Sequence, residues 1–332
     1  LGDKGIAMAK PFITIIGLGA TGCAVGLALR KEPGEFEVVG HDKSQAAETE
    51  ARKLNAVQRT EWNLHRAVEG CSMVILALPL PAVEETLALI AEDLAPQALV
   101  LVLNTLLQPV VESAQRALPA HARFVAAHLV SSMYAPGEPS ADAFVKVACC
   151  IAAAPHTDPT ALELAGDFAE RMGATAHFMD PVEHDGVAAV VEQIPQVAGA
   201  ALLAISTNAP GWREARQVAG ARYAAATEIG GSAAQIGRGL VSNRDNVRRQ
   251  LLQMQTELAR WLALLDAEAP AEGPHPIEAA LQELLDARSV WAQQAASGDW
   301  EKEPSPMSSS ESNGMLRQLF LGNIGKRKPP TN

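Results

Sequence analysis

The chain has 332 residues, is 48% hydrophobic, and carries a formal net charge of −11 with an isoelectric point near 5.3. That size supports two domains with cores of their own, and the acidic balance disfavours nucleic acid and anionic membrane as partners. The four cysteines, Cys23, Cys71, Cys149 and Cys150, follow no metal spacing. They read as buried, reduced thiols of a cytoplasmic protein without a metal site. No uninterrupted apolar run reaches about 18 residues, so no membrane span is expected, and the short polar start, Leu1 to Lys10, is not a secretory signal.

The first element, Phe12 to Ile16, is an apolar strand running straight into Gly17-Leu18-Gly19-Ala20-Thr21-Gly22, a G-x-G-x-x-G turn. A helix of small residues follows, Cys23 to Lys31. Asp42 arrives twenty residues after Gly22, just past a second strand, Glu37 to Gly40. Strand, glycine turn, helix and acidic residue at this spacing point to dinucleotide binding. Gly17 permits the tight turn, Gly19 lets backbone approach the pyrophosphate, and Gly22 lets the helix pack on the strand. Leu18, Ala20 and Thr21 complete the cofactor-facing turn, and the helix N-terminus offers unpaired N–H groups to the phosphates. Asp42 can accept hydrogen bonds from the ribose hydroxyls and would oppose a 2′-phosphate, so NAD is expected ahead of NADP. His41 and Lys43 are nearby cations that weaken that preference.

Alternation continues with a helix over Gln45 to Lys53, a strand over Met73 to Leu78, a helix over Val83 to Leu94 and a strand over Leu99 to Leu103. Then come a helix over Pro109 to Ala117, a strand over Phe124 to Ala127, a strand over Val145 to Ala153, a helix over Thr160 to Met172 and a strand over Thr175 to Met179. Continuous apolar strands between helices imply a doubly wound parallel sheet covered on both faces, with ligands outside the strands' carboxyl ends. Leu78, Pro79 and Asn104 follow two such strand ends and are expected beside the cofactor, with Thr105 facing the same cleft. His128 follows a third, where a histidine can take a proton from a substrate hydroxyl while hydride leaves.

The texture changes at Asp180-Pro181 and is helical to about Ala296. Helices are expected over Val182 to Ile194, Val197 to Ser206, Ala219 to Leu240, Asp245 to Leu265 and Ile277 to Gln294. His184, Asp185, Gln193 and Gln196 could face the cleft. Arg213 and Arg216 are candidates for a substrate carboxylate, since guanidinium binds carboxylate in a fork. Ser297 to Gly314 reads as a flexible linker, and Met315 to Ile324 as a segment that docks or frays. The organisation expected is therefore a dinucleotide-binding domain over 10–180, an all-helical substrate and dimerisation domain over 181–296, and a linker and tail over 297–332.

The chain resembles the prephenate and arogenate dehydrogenases from about Phe12 to Leu265. The likeness is carried by the glycine motif, the strand ending at Pro79, Phe124-Val-Ala-Ala-His128 and Met179-Asp-Pro-Val-Glu-His184-Asp185. Gly211-Trp-Arg-Glu and Val241-Ser-Asn243-Arg244 are similar to the family's G-F-R-D and L-S-N-R segments. The resemblance implies NAD-dependent oxidative decarboxylation of prephenate to 4-hydroxyphenylpyruvate, on the route to tyrosine. It also implies a homodimer formed through the helical domain, with His128 handling the hydroxyl proton.

Several positions depart from the family pattern. S-H-L-P-H becomes Glu192-Gln193-Ile194-Pro195-Gln196, and the arginine of T-R-I-A falls on Gln217, one place after Arg216. Glutamine hydrogen-bonds without supplying charge, and a missing charge-assisted bond costs about 1.5–3 kcal/mol. Gln193, Gln196, Arg213, Arg216 and Gln217 are therefore the substrate-side candidates, with Thr105. Two other readings stay open: a dehydrogenase of another hydroxy acid on the same scaffold, and a nucleotide-binding protein without catalysis.

Overall fold

The structure is a computed structural model describing residues 11–31, 36–119, 122–130, 138–153, 157–268, 270, 273–298 and 300. The expectations for Leu1 to Lys10 and for the tail beyond Trp300 lie outside the described residues. One eight-stranded sheet has the order β3-β2-β1-β4-β5-β6-β7-β8. The strands are β1 (Phe12–Ile16), β2 (Glu37–His41), β3 (Arg59–Thr60), β4 (Met73–Leu76), β5 (Leu99–Leu103), β6 (Arg123–Leu129), β7 (Ala148–Ala152) and β8 (Thr175–Met179). Every residue of β5 is buried, which is why such central strands read as unbroken apolar runs.

Helices α1 (Ala20–Leu29), α2 (Gln45–Lys53), α3 (Leu64–Val68), α4 (Leu80–Ile90), α5 (Gln108–Ala117) and α6 (Pro159–Arg171) flank the strands. Side chains from the sheet divide between two apolar clusters. Ile15, Leu101 and Ile151 belong to one, Leu76, Val100 and Val102 to the other. The strand order reverses between β1 and β4, and the crevice outside the carboxyl ends there is the usual ligand site of such sheets.

The doubly wound parallel sheet has one departure from expectation. β7 runs antiparallel to β6, with His128 opposite Cys150, and β8 is parallel to β7. The described residues of the β6–β7 connection form only turns, whereas a parallel pair needs a crossover, usually helical, to return the chain to the same end.

Helix α7 (Pro181–Ala188) starts at Asp180, whose Oδ1 accepts the N–H groups of Val182 at 2.8 Å and Glu183 at 3.3 Å. It runs through a π-helical turn (Ala189–Gln193) into α8 (Ile194–Thr207). Pro195 was expected to end the first helix. Instead the path continues: proline has no N–H for the carbonyl four residues back, and the wider turn precedes it. By length and composition the run Pro181–Thr207 is apolar enough to cross a membrane, contrary to expectation. Asp185 within it is nevertheless hydrogen-bonded to the start of α5.

Next come α9 (Trp212–Val218), α10 (Ala221–Ala226), α11 (Ala233–Ser242) and α12 (Arg244–Asp266). The single helix expected over Ala219 to Leu240 is broken by the glycine pair before Ser232, where Gly231 has φ +100°. Ser232 restarts it with a capping box: its hydroxyl accepts the Gln235 N–H at 3.3 Å, and the Gln235 side chain accepts the Ser232 N–H at 2.9 Å.

The chain divides into two compact units, residues 1–254 and 255–332. The first contains the sheet and the helices as far as the first half of α12. The second contains the rest of α12 and α13 (Pro276–Ser297), which His275 caps and Gly298 ends in the left-handed conformation. Leu258, Leu262, Leu281 and Leu285 are exposed on this second unit.

Candidate active site

The β1–α1 turn is shaped by contacts that only glycine allows. Gly17 has φ +94°, and a Cβ there would lie 2.5 Å from the Ala77 carbonyl oxygen. A Cβ on Gly22 would lie 1.9 Å from the Gly17 carbonyl oxygen. Both glycines are required by the protein's own packing. Gly19 differs: a Cβ there would meet no atom within 4 Å, and Gly19 lines a cavity of about 510 Å³. It is also the N-cap of α1, with no side-chain cap on the helix N-terminus. A turn that exposes backbone N–H groups without protein packing against it fits an incoming phosphate.

Asp42 is oriented toward this turn. Its Oδ2 accepts the Leu18 N–H at 2.8 Å and its Oδ1 accepts the Ser44 N–H at 2.8 Å. Gly17, Leu18, Gly22 and Asp42 form the frame of the turn, whereas Gly19, Ala20 and Thr21 line the cavity. Leu78, Pro79, Asn104 and Thr105 line it from the ends of β4 and β5. Asn104 holds those two loops together: its Nδ2 donates to the Leu78 carbonyl at 3.2 Å and its Oδ1 accepts the Leu106 N–H at 3.2 Å.

His128 is buried within β6 and lines the same cavity. Its Nδ1 lies 3.1 Å from Nε2 of His184, with the two rings edge to face at 86°. The other nitrogen of His184, Nδ1, lies 3.0 Å from Oδ1 of Asp185. The Asp185 carboxylate accepts the Leu107 N–H at 2.8 Å on Oδ1 and the Gln108 N–H at 3.1 Å on Oδ2. It thus caps α5, whose own N-cap residue, Leu107, supplies no side-chain bond.

Burial and then the charge of His184 push the His128 imidazole below the ordinary histidine range. Burial alone would lower His184 too, but hydrogen bonds to Asp185 and Cys150 outweigh it and push His184 above that range. The pair therefore holds a proton on His184 in preference to His128.

The helical wall contributes Glu192, Gln193 and Gln196 to the cavity, together with Gly231, Gln235 and Gly239. Burial raises the Glu192 carboxyl, opposed by the charge of His184. Asn243, buried, donates from Nδ2 to the Asp185 carbonyl at 2.8 Å and to Gln193 Oε1 at 2.7 Å. Arg213, Arg216 and Gln217 are not brought to this cavity within one chain; all three are exposed on α9. Sequence reasoning passed over Glu192 as a cavity residue, Asn243 as a brace and the contact between His184 and His128. The L-S-N-R likeness was the available signal for Asn243. His184 had the Met179-to-Asp185 likeness and its position at a helix start, neither of which points to His128.

Residues 25–178 match the family "Prephenate dehydrogenase, nucleotide-binding domain". That match places the likeness to the prephenate dehydrogenases in the sheet-bearing part of the chain. The glycine turn lies just before the matched span. A prephenate dehydrogenase of Bacillus subtilis (strain 168) is 29% identical over 202 residues, covering 58% of this chain and 53% of that relative, so the chain spans about half the relative's length.

Solved structures of the family share the fold at low identity. Prephenate dehydrogenase from A. aeolicus, in complex with hydroxyphenyl propionate and NAD+, is 18% identical with a TM-score of 0.70, over 88% of this chain and 100% of that one. A putative prephenate dehydrogenase of Corynebacterium glutamicum gives a TM-score of 0.70 at 17% identity, over 95% and 98% of the two chains. Arogenate dehydrogenase of Synechocystis gives 0.62 at 18% identity, over 87% and 99%.

Proposed function

We propose that this chain is an NAD-dependent dehydrogenase that oxidatively decarboxylates prephenate, with His128 as the catalytic residue. The observation that carries the reading is that one cavity is lined both by the glycine turn and by a buried histidine at a strand's carboxyl end. Gly19 and the uncapped start of α1 would hold the pyrophosphate, Asp42 the adenosine ribose, and Leu78, Pro79 and Asn104 the nicotinamide side. NAD+, when bound there, supplies the hydride acceptor. His128 holds the substrate's ring hydroxyl and accepts its proton at Nε2, and carbon dioxide is lost as the ring becomes aromatic. Thr105, Gln193 and Gln196 would orient the rest of the substrate.

A second reading, arogenate as substrate, is favoured by Glu192. A carboxyl in the cavity wall suits an ammonium group better than a second carboxylate. We further propose a division of roles at Asp180–Pro181 and a cytoplasmic homodimer without nucleic-acid or membrane partners. Its support is an open groove of about 580 Å³ lined by Val182, Val187, Val190 and Val191, all exposed in the single chain. Arg213, Arg216 and Gln217 would then serve a substrate only from across that interface.

Absorbance of reduced nicotinamide, with NAD+ or NADP+ and either prephenate or arogenate, tests the reading. Saturable turnover of one pair supports it. No turnover by protein that binds NAD+ refutes it.

A further inference from the structure

A buried histidine at the site has a partner that the reaction above leaves unused. His184 is nearly inaccessible, and its two ring nitrogens connect His128 on one side to Asp185 on the other. Nδ1 of His128 faces His184, which leaves Nε2 as the ring nitrogen for a substrate. Whether Nε2 is a lone pair or an N–H is then decided at the other end of the ring. A neutral His184 keeps its proton on Nδ1 for the carboxylate, presents a lone pair at Nε2, and accepts from His128 Nδ1–H. His128 Nε2 is then a base. A protonated His184 donates from Nε2, forces His128 Nδ1 to accept, and leaves Nε2 of His128 carrying a hydrogen.

We propose that His184 is a positioning residue that takes up the Nδ1 proton of His128 as His128 accepts the substrate's hydroxyl proton at Nε2, so that the positive charge comes to rest beside Asp185. The step balances. The substrate O–H bond breaks and an Nε2–H bond forms on His128. The Nδ1–H bond of His128 breaks and an Nε2–H bond forms on His184. The inference rests on the reading of His128 as the proton acceptor. Asp185 is built for the part: its carboxylate is pinned by the Leu107 and Gln108 N–H groups, and Asn243 holds its backbone carbonyl.

The titratable groups facing His184 are Asp185 on its own helix, His128 on β6, Cys150 on β7 and Glu192 on the π-helical turn. The resulting order of proton affinities, His184 above His128, is the one the transfer requires.

The sign of the pH effect follows. Substrate oxidation needs His184 neutral at the outset, so kcat/KM should rise as pH passes a value above the ordinary histidine pKa of about 6.5. In His184→Gln that limb should move below about 6.5, to the titration of buried His128 itself. The limiting rate should fall by no more than the factor of about 10²–10⁴ typical of acid–base groups. An unmoved limb with a uniformly lower rate would mean a structural role only, and overturns the proposal.

Imidazole nitrogen shifts of the wild-type protein, titrated by NMR without substrate, give a second readout. His184 titrating above His128 supports the relay, and the reverse order overturns it. That measurement needs no turnover, so inactivity toward both substrates would count against the proposed reaction separately from the histidine pair.

Discussion

Gly19→Ala separates a glycine kept for a ligand from glycines kept for packing. The Gly19 backbone has φ −72° and ψ −168°, an extended conformation open to any residue, and a Cβ there meets no protein atom within 4 Å. The unfolded chain loses freedom on Gly→Ala, which stabilises the folded state by about 0.4–1 kcal/mol. Alanine is a poorer N-cap than glycine, which offsets part or all of that gain. The net change in stability should stay within about 1 kcal/mol of zero.

Binding should respond differently. A methyl group between backbone and pyrophosphate lengthens charge-assisted hydrogen bonds worth about 1.5–3 kcal/mol each, so loss of one weakens NAD+ by about ten- to 150-fold. Gly22→Ala is the control: its Cβ would lie 1.9 Å from the Gly17 carbonyl oxygen, so it should lower the melting temperature even without ligand. Thermal melts with and without NAD+, together with titration calorimetry, read both quantities. Gly19→Ala that binds NAD+ as tightly as wild type would refute the assignment of this turn to the phosphates.

Further outcomes are expected at three positions. Asp42→Ala should weaken NAD+ more than NADP+ in the same calorimetric assay; equal losses would mean Asp42 does not read the ribose. His128→Asn should keep NAD+ binding while turnover drops by about 10²–10⁴-fold, and an unchanged rate would remove His128 from the chemistry. Glu192→Gln should raise the kcat/KM ratio for prephenate over arogenate by about tenfold, the size of one modest charge contact; a ratio that does not move would exclude Glu192 from substrate choice.

The dinucleotide half of the molecule was legible because its signals are local. Gly17, Gly22 and the apolar runs of β1 and β5 each reflect a constraint met within a few residues or by burial on both faces. The antiparallel β7 was not legible, because an apolar strand has no intrinsic direction; only its connection and neighbours set it. The break before α11 was readable in principle from Gly230-Gly231-Ser232 and Gln235, since the capping box is a sequence pattern. His128 could be placed at a strand end, but its contact with His184, 56 residues later, is a product of tertiary packing. Asp185 shows the same limit: a helix-start aspartate suggests a cap on its own helix, whereas it caps α5 from a distance.

The π-helical turn before Ile194 changes what spacing means along the site's helical wall. At about 100° per residue, His184 and Gln196 would stand roughly 120° apart around a regular α-helix. A π turn takes up one extra residue, which removes about one step of rotation and leaves them roughly 20° apart. A single inserted residue thus turns the glutamine toward the side that carries the histidine. A chain that lost one residue from Ala189–Gln193 would keep nearly the same composition and a continuous helix, yet present a different set of side chains to the cavity.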